Sequence, residues 1–176
     1  MGGMKEGAVM EIRLLHESDA ASYWDLRLEA LKNHPEAFGS SYEEAIRREK
    51  PVEGVKRNLA NPDNFTFGAF DGKSLIGMVT LLRESAQKMQ HRGNIYAMYV
   101  QHQYGGKGIG TSLMEAAIQQ ARSLEGLEQL NLSVVTSNDS ANNLYRKLGF
   151  SVFGTEKHAL KIGDLYVDEH HMVLFL

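Results

Sequence analysis

Cysteine is absent from the 176-residue chain, which excludes disulfides, thiolate metal sites and a cysteine nucleophile. Proline occurs only three times, at Pro35, Pro51 and Pro62, and each position reads as a stop or break between elements. No run of about eighteen apolar residues exists, so no membrane-spanning helix is predicted and no membrane partner is expected. Positive charge is not in excess: the formal net charge is −3, which leaves no basic footprint and excludes nucleic acid as an expected partner. The first ten residues are too short and too polar for a signal peptide. Internal repeats, low-complexity segments and linkers are also missing. Together with the lack of cysteine, these features lead us to expect a cytoplasmic protein.

What is present is ordinary for a globular domain. Hydrophobic residues make up 43% and charged residues 23%, and the length suits one domain with a real core. Residues 1–10 are expected to be a disordered N-terminus and residues 11–176 a single domain.

The chain is organised around Ile95 to Leu124. The apolar run Ile95-Tyr96-Ala97-Met98-Tyr99-Val100 reads as a short strand buried on both faces. A polar turn, Gln101 to Tyr104, leads into Gly105-Gly106-Lys107-Gly108-Ile109-Gly110. A long amphipathic helix follows, with Ile109, Leu113, Ala117, Ala121 and Leu124 on one stripe, and Gly126 at its C-terminal end. Strand, glycine turn and helix aim free backbone N–H groups and the positive helix end at an anion. Lys107 would add a cation at the mouth. Such a turn also serves simply to pack a helix tightly on a sheet, so the glycines alone leave both readings open. Spacing excludes a P-loop, because Thr111 rather than lysine follows Gly110, and it excludes the dinucleotide fingerprint, because Thr111 takes that motif's last glycine position.

The remaining elements follow from period and punctuation. Glu11–Leu15 is a first strand. Ser18 is the expected N-cap of a helix reaching Asn33, with Ala20, Trp24, Leu28 and Leu31 on one face. Residues 40–60 read as two helical pieces broken at Pro51, the second burying Val52, Val55 and Leu59. Phe65–Phe70 and Ser74–Arg83 form a hairpin about Asp71-Gly72-Lys73, and Glu84–Gly93 is a polar loop. Leu130–Val135 is a strand. Ser137 or Asn138 caps a helix carrying Ala141, Leu144, Tyr145 and Leu148, which Gly149 ends. Phe150–Ala159 and Tyr166–Leu176 are the closing strands. This order predicts an α/β (α+β) domain: a mixed, mostly antiparallel sheet with helices on both faces.

The stretch Met98-Tyr99-Val100 with Tyr104-Gly105-Gly106-Lys107-Gly108-Ile109-Gly110 resembles motif A of the GCN5-related N-acetyltransferases. Asn138-x-x-Ala141-x-x-Leu144-Tyr145-x-Lys147-Leu148-Gly149-Phe150 resembles their motif B. Both occur in the family's order, covering residues 95–150, and Gly154–Leu176 is similar to a segment of bacterial members. The resemblance implies an acetyl-CoA-dependent N-acetyltransferase that moves an acetyl group directly to a primary amine of a small molecule or peptide. The alternative is a non-catalytic acyl-CoA-binding sensor or scaffold. It further implies that acetyl-CoA lies between two splayed strands, Ile95–Val100 and Leu130–Val135, and that no metal takes part. Met98, Tyr99 and Val100 would hold the acetyl carbonyl and pantetheine arm. Gly105, Gly106, Lys107, Gly108, Ile109, Gly110 and Thr111 would form the pyrophosphate cradle, and Asn138 and Asn143 would contact the pantetheine side. Tyr145 would be the catalytic acid toward the departing thiolate, although its spacing alone also fits a core aromatic. One residue departs from the family's turn: Gly105 stands where glutamine or arginine is usual. A homodimer through the last strands is implied by analogy.

An ammonium acceptor must lose a proton. Tyr96, Glu84, His91, His102, Glu43 and Glu44 are candidate bases, and none is assigned. On an extended strand, Asp168 and His170 would face away from Glu169 and His171, so this acidic–histidine run is read as lining a substrate mouth or as the end of a solvated strand rather than as a metal site.

Overall fold

A computed structural model describes residues 10–176. The elements run β1 (Met10–Leu14), α1 (Ala20–Asn33), α2 (Tyr42–Ile46), α3 (Pro51–Ala60), β2 (Asn64–Asp71), β3 (Ser74–Arg83), β4 (Arg92–Val100), α4 (Ile109–Ser123), β5 (Gln129–Val135), α5 (Asp139–Lys147), β6 (Ser151–Ile162) and β7 (Leu165–Phe175). The strands form one seven-stranded sheet in the order β1-β2-β3-β4-β5-β7-β6. Every neighbouring pair is antiparallel except β4–β5.

The expected architecture is the one observed, with local corrections. β1 starts at Met10, which pairs with Asp71, so that residue belongs to the sheet; the rest of the expected disordered end lies outside the described residues. Ser18 does not cap α1. A single 3₁₀ turn, Glu17–Asp19, precedes the helix, and the Asp19 carboxylate accepts the His16 N–H at 2.7 Å and a two-pronged bond from Arg13 at 2.9 and 3.0 Å. A charge-assisted fork of that kind outweighs a serine cap. The break at Pro51 is present, with Ser41 capping α2 from its hydroxyl. Asp71 pairs with Ser74 inside the β2–β3 ladder, leaving Gly72 and Lys73 as a two-residue turn; Gly72 supplies the positive φ of 59°.

Helices cover both faces. On one, α4 lays Leu113, Met114, Ala117 and Ala121 onto β2, β3 and β4. The approach is close because Gly77 lies beneath it: a Cβ there would stand 3.1 Å from Leu113 Cδ1. On the other face, α1 and α3 bury Trp24, Leu31 and Val55 against each other. Leu26 and Ala30 pack against Met78 and Tyr99 of the sheet.

Candidate active site

β4 and β5 pair only through Arg92–Gln129, Gly93–Leu130 and Asn94–Asn131, and beyond these three pairs the strands part. β4 is also bulged. Met78 opposes Tyr99 whereas Thr80 opposes Tyr96, so Ala97 and Met98 together face Val79, and Ala97 takes a φ of 55°. A bulge of this kind re-aims the backbone. β4 is therefore not buried on both faces as its composition suggested: Tyr96 is 52% exposed and Met98 is half-buried. An apolar run adjoining a parting of strands lines a cleft and still looks, residue by residue, like a core strand.

A cleft of about 1960 Å³ takes in the gap between the parted strands and extends to α1, residues 34–40 and α3. Among the residues singled out from the sequence, it is lined by Met98, Tyr99, Val100, Gly105, Gly106, Gly108, Ile109, Gly110, Thr111, Asn138, Asn143 and Tyr145. Lys107 is not on the wall; its ammonium lies 5.5 Å from the Tyr104 ring. Tyr104 itself donates to Asp71 Oδ2 at 2.6 Å. The Tyr99 side chain packs under α1, with its hydroxyl donating to Glu29 at 3.3 Å.

The glycine turn ends in α4. Gly108 is the N-cap with φ 77°, and the first helical bond runs from Ser112 N to Gly108 O at 3.0 Å. The N–H groups of Ile109, Gly110 and Thr111 precede that bond and lack intrahelical partners. Gly106 has φ 73°, and a Cβ built at Gly106 or Gly108 meets nothing within 4 Å. Open space beside unpaired N–H groups at a helix N-terminus is the geometry an anion needs. Gly105, by contrast, has φ −65°, so no left-handed backbone requires the glycine, but a Cβ there would stand 3.1 Å from His102 O and press on the turn.

Tyr145 is 6% exposed, and burial pushes its phenol up to about 12. Its ring meets Phe150 edge-on at 6.0 Å. The hydroxyl has no hydrogen-bond partner among the described residues. Asn138 caps α5, its Oδ1 accepting from Ala141 N at 3.2 Å. One residue that the sequence reading passed over, Asn142, is buried and donates to Val135 O at 3.1 Å and Asn138 O at 2.8 Å. It fastens the end of β5 to the start of α5, and no local pattern marks it.

The candidate bases separate. Tyr96 and His102 line the cleft, and burial, followed by the charge of Glu84, raises the Tyr96 phenol. Glu84 accepts from Asn94 Nδ2 at 2.7 Å without reaching the lining, and His91, Glu43 and Glu44 are also off it. Asp168 is engaged by Lys157 at 3.1 Å and by the His158 N–H at 2.8 Å. The opposite face of the closing strands, with Glu169 and His171, joins the cleft wall beside Ser133 and Phe153.

The family model described as acetyltransferase (GNAT) family matches residues 24–150. An N-alpha-acetyltransferase RimI from Mycobacterium tuberculosis is 30% identical over 112 residues, covering 64% of this chain and 68% of that protein. A mycothiol acetyltransferase from Propionibacterium freudenreichii is 27% identical over 127 residues, covering 72% of this chain and 38% of its own length. The match thus spans under half the length of several curated relatives, 38% to 46%. An acetyltransferase of the GNAT family from Streptococcus pneumoniae shares the fold with a TM-score of 0.82 at 23% identity, over 95% of this chain and 99% of that one. The yncA protein of Salmonella typhimurium, solved with its cofactor acetyl-CoA, does so with a TM-score of 0.81 at 19% identity, over 95% and 94%.

Proposed function

Because this chain belongs to the acetyltransferase (GNAT) family, we propose that it transfers the acetyl group of acetyl-CoA directly to a primary amine of a small molecule or peptide. One observation carries the reading: the parted β4 and β5 place a bulged strand, the unpaired N–H groups of α4 and Tyr145 on the wall of one cleft. When bound, acetyl-CoA supplies the activated thioester carbonyl. The N–H groups from Gly106 to Thr111 hold its pyrophosphate, and the backbone of Met98 and Val100 holds the carbonyl end. The bulge at Ala97 re-aims the backbone there, and an N–H of this stretch would stabilise the thioester oxygen as it gains charge, an effect worth about 2.7–4 kcal/mol per donor in known cases. Tyr145, protonated throughout the neutral range, donates its proton to the leaving sulfur. Asn138 and Asn143 border the pantetheine arm. Positioning both reactants supplies roughly 7–11 kcal/mol without a covalent enzyme intermediate.

Calorimetric titration with acetyl-CoA, with ATP and NAD as controls, tests the cradle. Release of free thiol with a panel of amines tests transfer, and binding without release would instead support a non-catalytic acyl-CoA-binding module. A cytoplasmic location and a homodimer through the last two strands complete the reading. Exposed Leu165 and Tyr166 on that hairpin support the dimer, and light scattering at increasing concentration tests it.

A further inference from the structure

Three polar side chains line up across the closing strands on the cleft face. Ser133 of β5 is hydrogen-bonded through Oγ to His171 Nδ1 of β7 at 2.9 Å, and His171 Nε2 lies 3.3 Å from Glu156 Oε2 of β6. In the neutral imidazole the carboxylate sets the direction of both bonds: it only accepts, so Nε2–H donates to Glu156 and the lone pair of Nδ1 accepts the Ser133 hydroxyl. Ser133 and His171 both lie on the cleft wall.

Register places this row at the fork. Asn94 and Asn131 are the last paired residues of β4 and β5, so Tyr96 and Ser133, two residues further along each strand, are the first same-face positions after the strands part. The Ala97 bulge follows Tyr96 directly. The serine hydroxyl therefore borders the point where acetyl carbon and amine must meet, while Glu156 is exposed to solvent.

We propose that Ser133, His171 and Glu156 form a proton relay that deprotonates the acceptor amine; the proposal rests on the acetyltransferase reading above. The acceptor ammonium passes a proton to Ser133 Oγ as the hydroxyl passes its own to His171 Nδ1. The imidazolium so formed is held by Glu156 through Nε2–H. It returns its Nδ1 proton to water, Ser133 is left as a neutral hydroxyl, and the freed amine nitrogen attacks the carbonyl while Tyr145 protonates the sulfur. The nitrogen then gives up its second proton to water as the amide forms, and the Tyr145 phenolate takes one back from water, so that one proton is released for each acetyl group transferred. Other groups face His171 as well. Glu169 on the same strand, its carboxyl raised by desolvation against the opposing charge of His171, adds a second carboxylate near the imidazole. Phe153 lies 6.1 Å from the ring. The 3₁₀ turn Pro35–Ala37 packs on β5 and β6 and brings Glu36, which is paired with His34 at 3.7 Å.

Chemically similar residues on the opposite face provide a control, because His170 Nδ1 is hydrogen-bonded to Thr155 Oγ1 at 2.8 Å away from the cleft lining. In the purified full chain, H171Q is expected to lose about 10²-fold in turnover at pH 7, the scale of general-base catalysis. With an α-amine acceptor, whose pKa of about 8 leaves it neutral near pH 10, the deficit should shrink there to within about threefold, with acetyl-CoA affinity unchanged. H170Q should stay within about twofold of the wild type throughout. Nitrogen NMR of the imidazoles should find His171 protonated at Nε2 and bare at Nδ1 above neutral pH. A deficit in H171Q that is constant with pH, or no larger than that of H170Q, overturns the relay while leaving the transferase reading intact, and so does an Nδ1–H tautomer. A wild-type protein that binds acetyl-CoA but acetylates no amine overturns the transferase reading, and the relay with it.

Discussion

Tyr145 combines two properties that a core tyrosine does not need together: burial deep enough to push its phenol to about 12, and a place on a cleft wall. A proton held that firmly stays on the hydroxyl throughout the neutral range, as the proposed donation to the leaving sulfur requires. Tyr145→Phe should lower turnover by about 10²-fold with little change in acetyl-CoA affinity, and unchanged turnover at saturating substrate would remove the acid role. The same burial links stability to alkaline pH. A folded value raised above the unfolded value of about 10 favours the native state at lower pH, and that contribution is lost as pH rises toward about 12. Roughly 3 kcal/mol follows from two pH units at 1.36 kcal/mol each. Denaturant titrations between pH 9 and 12 should show this decline in the wild type and a shallower one in Tyr145→Phe. Motif context singled out Tyr145 in the sequence, and the residue lines the cleft. Asn142, Ser133, His171 and Glu156 were not legible as a set, because their partners lie on other elements and a hydrogen bond between residues 38 positions apart leaves no local period.

Among the elements, α4 was the most legible because every signal agrees: apolar stripe, glycine N-cap, glycine beyond its end. Leu113 on that stripe is fully buried, and Leu113→Ala should cost about 2–5 kcal/mol in urea unfolding; a loss under 1 kcal/mol would mean that the site collapses around the deletion. The start of α4 carries a different constraint. Gly108→Val puts a branched side chain into both a positive φ of 77° and the open space of the cradle, and it should abolish acetyl-CoA binding. Gly106→Ala, with less bulk at φ 73°, should weaken binding at least tenfold while circular dichroism stays unchanged. Normal affinity in Gly106→Ala would place the pyrophosphate elsewhere. β4 was the least legible element. Its composition predicts a strand with both faces covered, yet the bulge at Ala97 and the parting from β5 expose one wall, and neither event has a signature in a run of apolar residues. The start of α1 was misread for a related reason, since a carboxylate forked by Arg13 overrides the nearest good capping residue.

At the scale of the whole molecule, order and direction of strands were readable to the extent that hairpins and helix–strand alternation dictate them. The exchange of β6 and β7 in the sheet order was not, because β7 reaches β5 through pairing that no short-range signal specifies. Ligand linkage gives the corresponding test. Acetyl-CoA at a hundred times its dissociation constant should stabilise the fold by about 2.7 kcal/mol, raising the melting temperature, while NAD at the same concentration should not. An equal rise with both would point to a general nucleotide site.

The single parallel junction also divides the sheet into two leaves, β1–β4 and β5–β7, joined by three residue pairs. Each leaf carries a half-open rim inside the protein, at β4 beyond Asn94 and at β5 beyond Asn131. Exposed strand rims invite association with other chains, but these two face each other across a gap that an amide-bearing arm can bridge like a missing strand. Amides of residues 95–100 that do not pair with β3 should therefore exchange with deuterium like those of a sheet border in the free protein, and slow sharply once acetyl-CoA is bound.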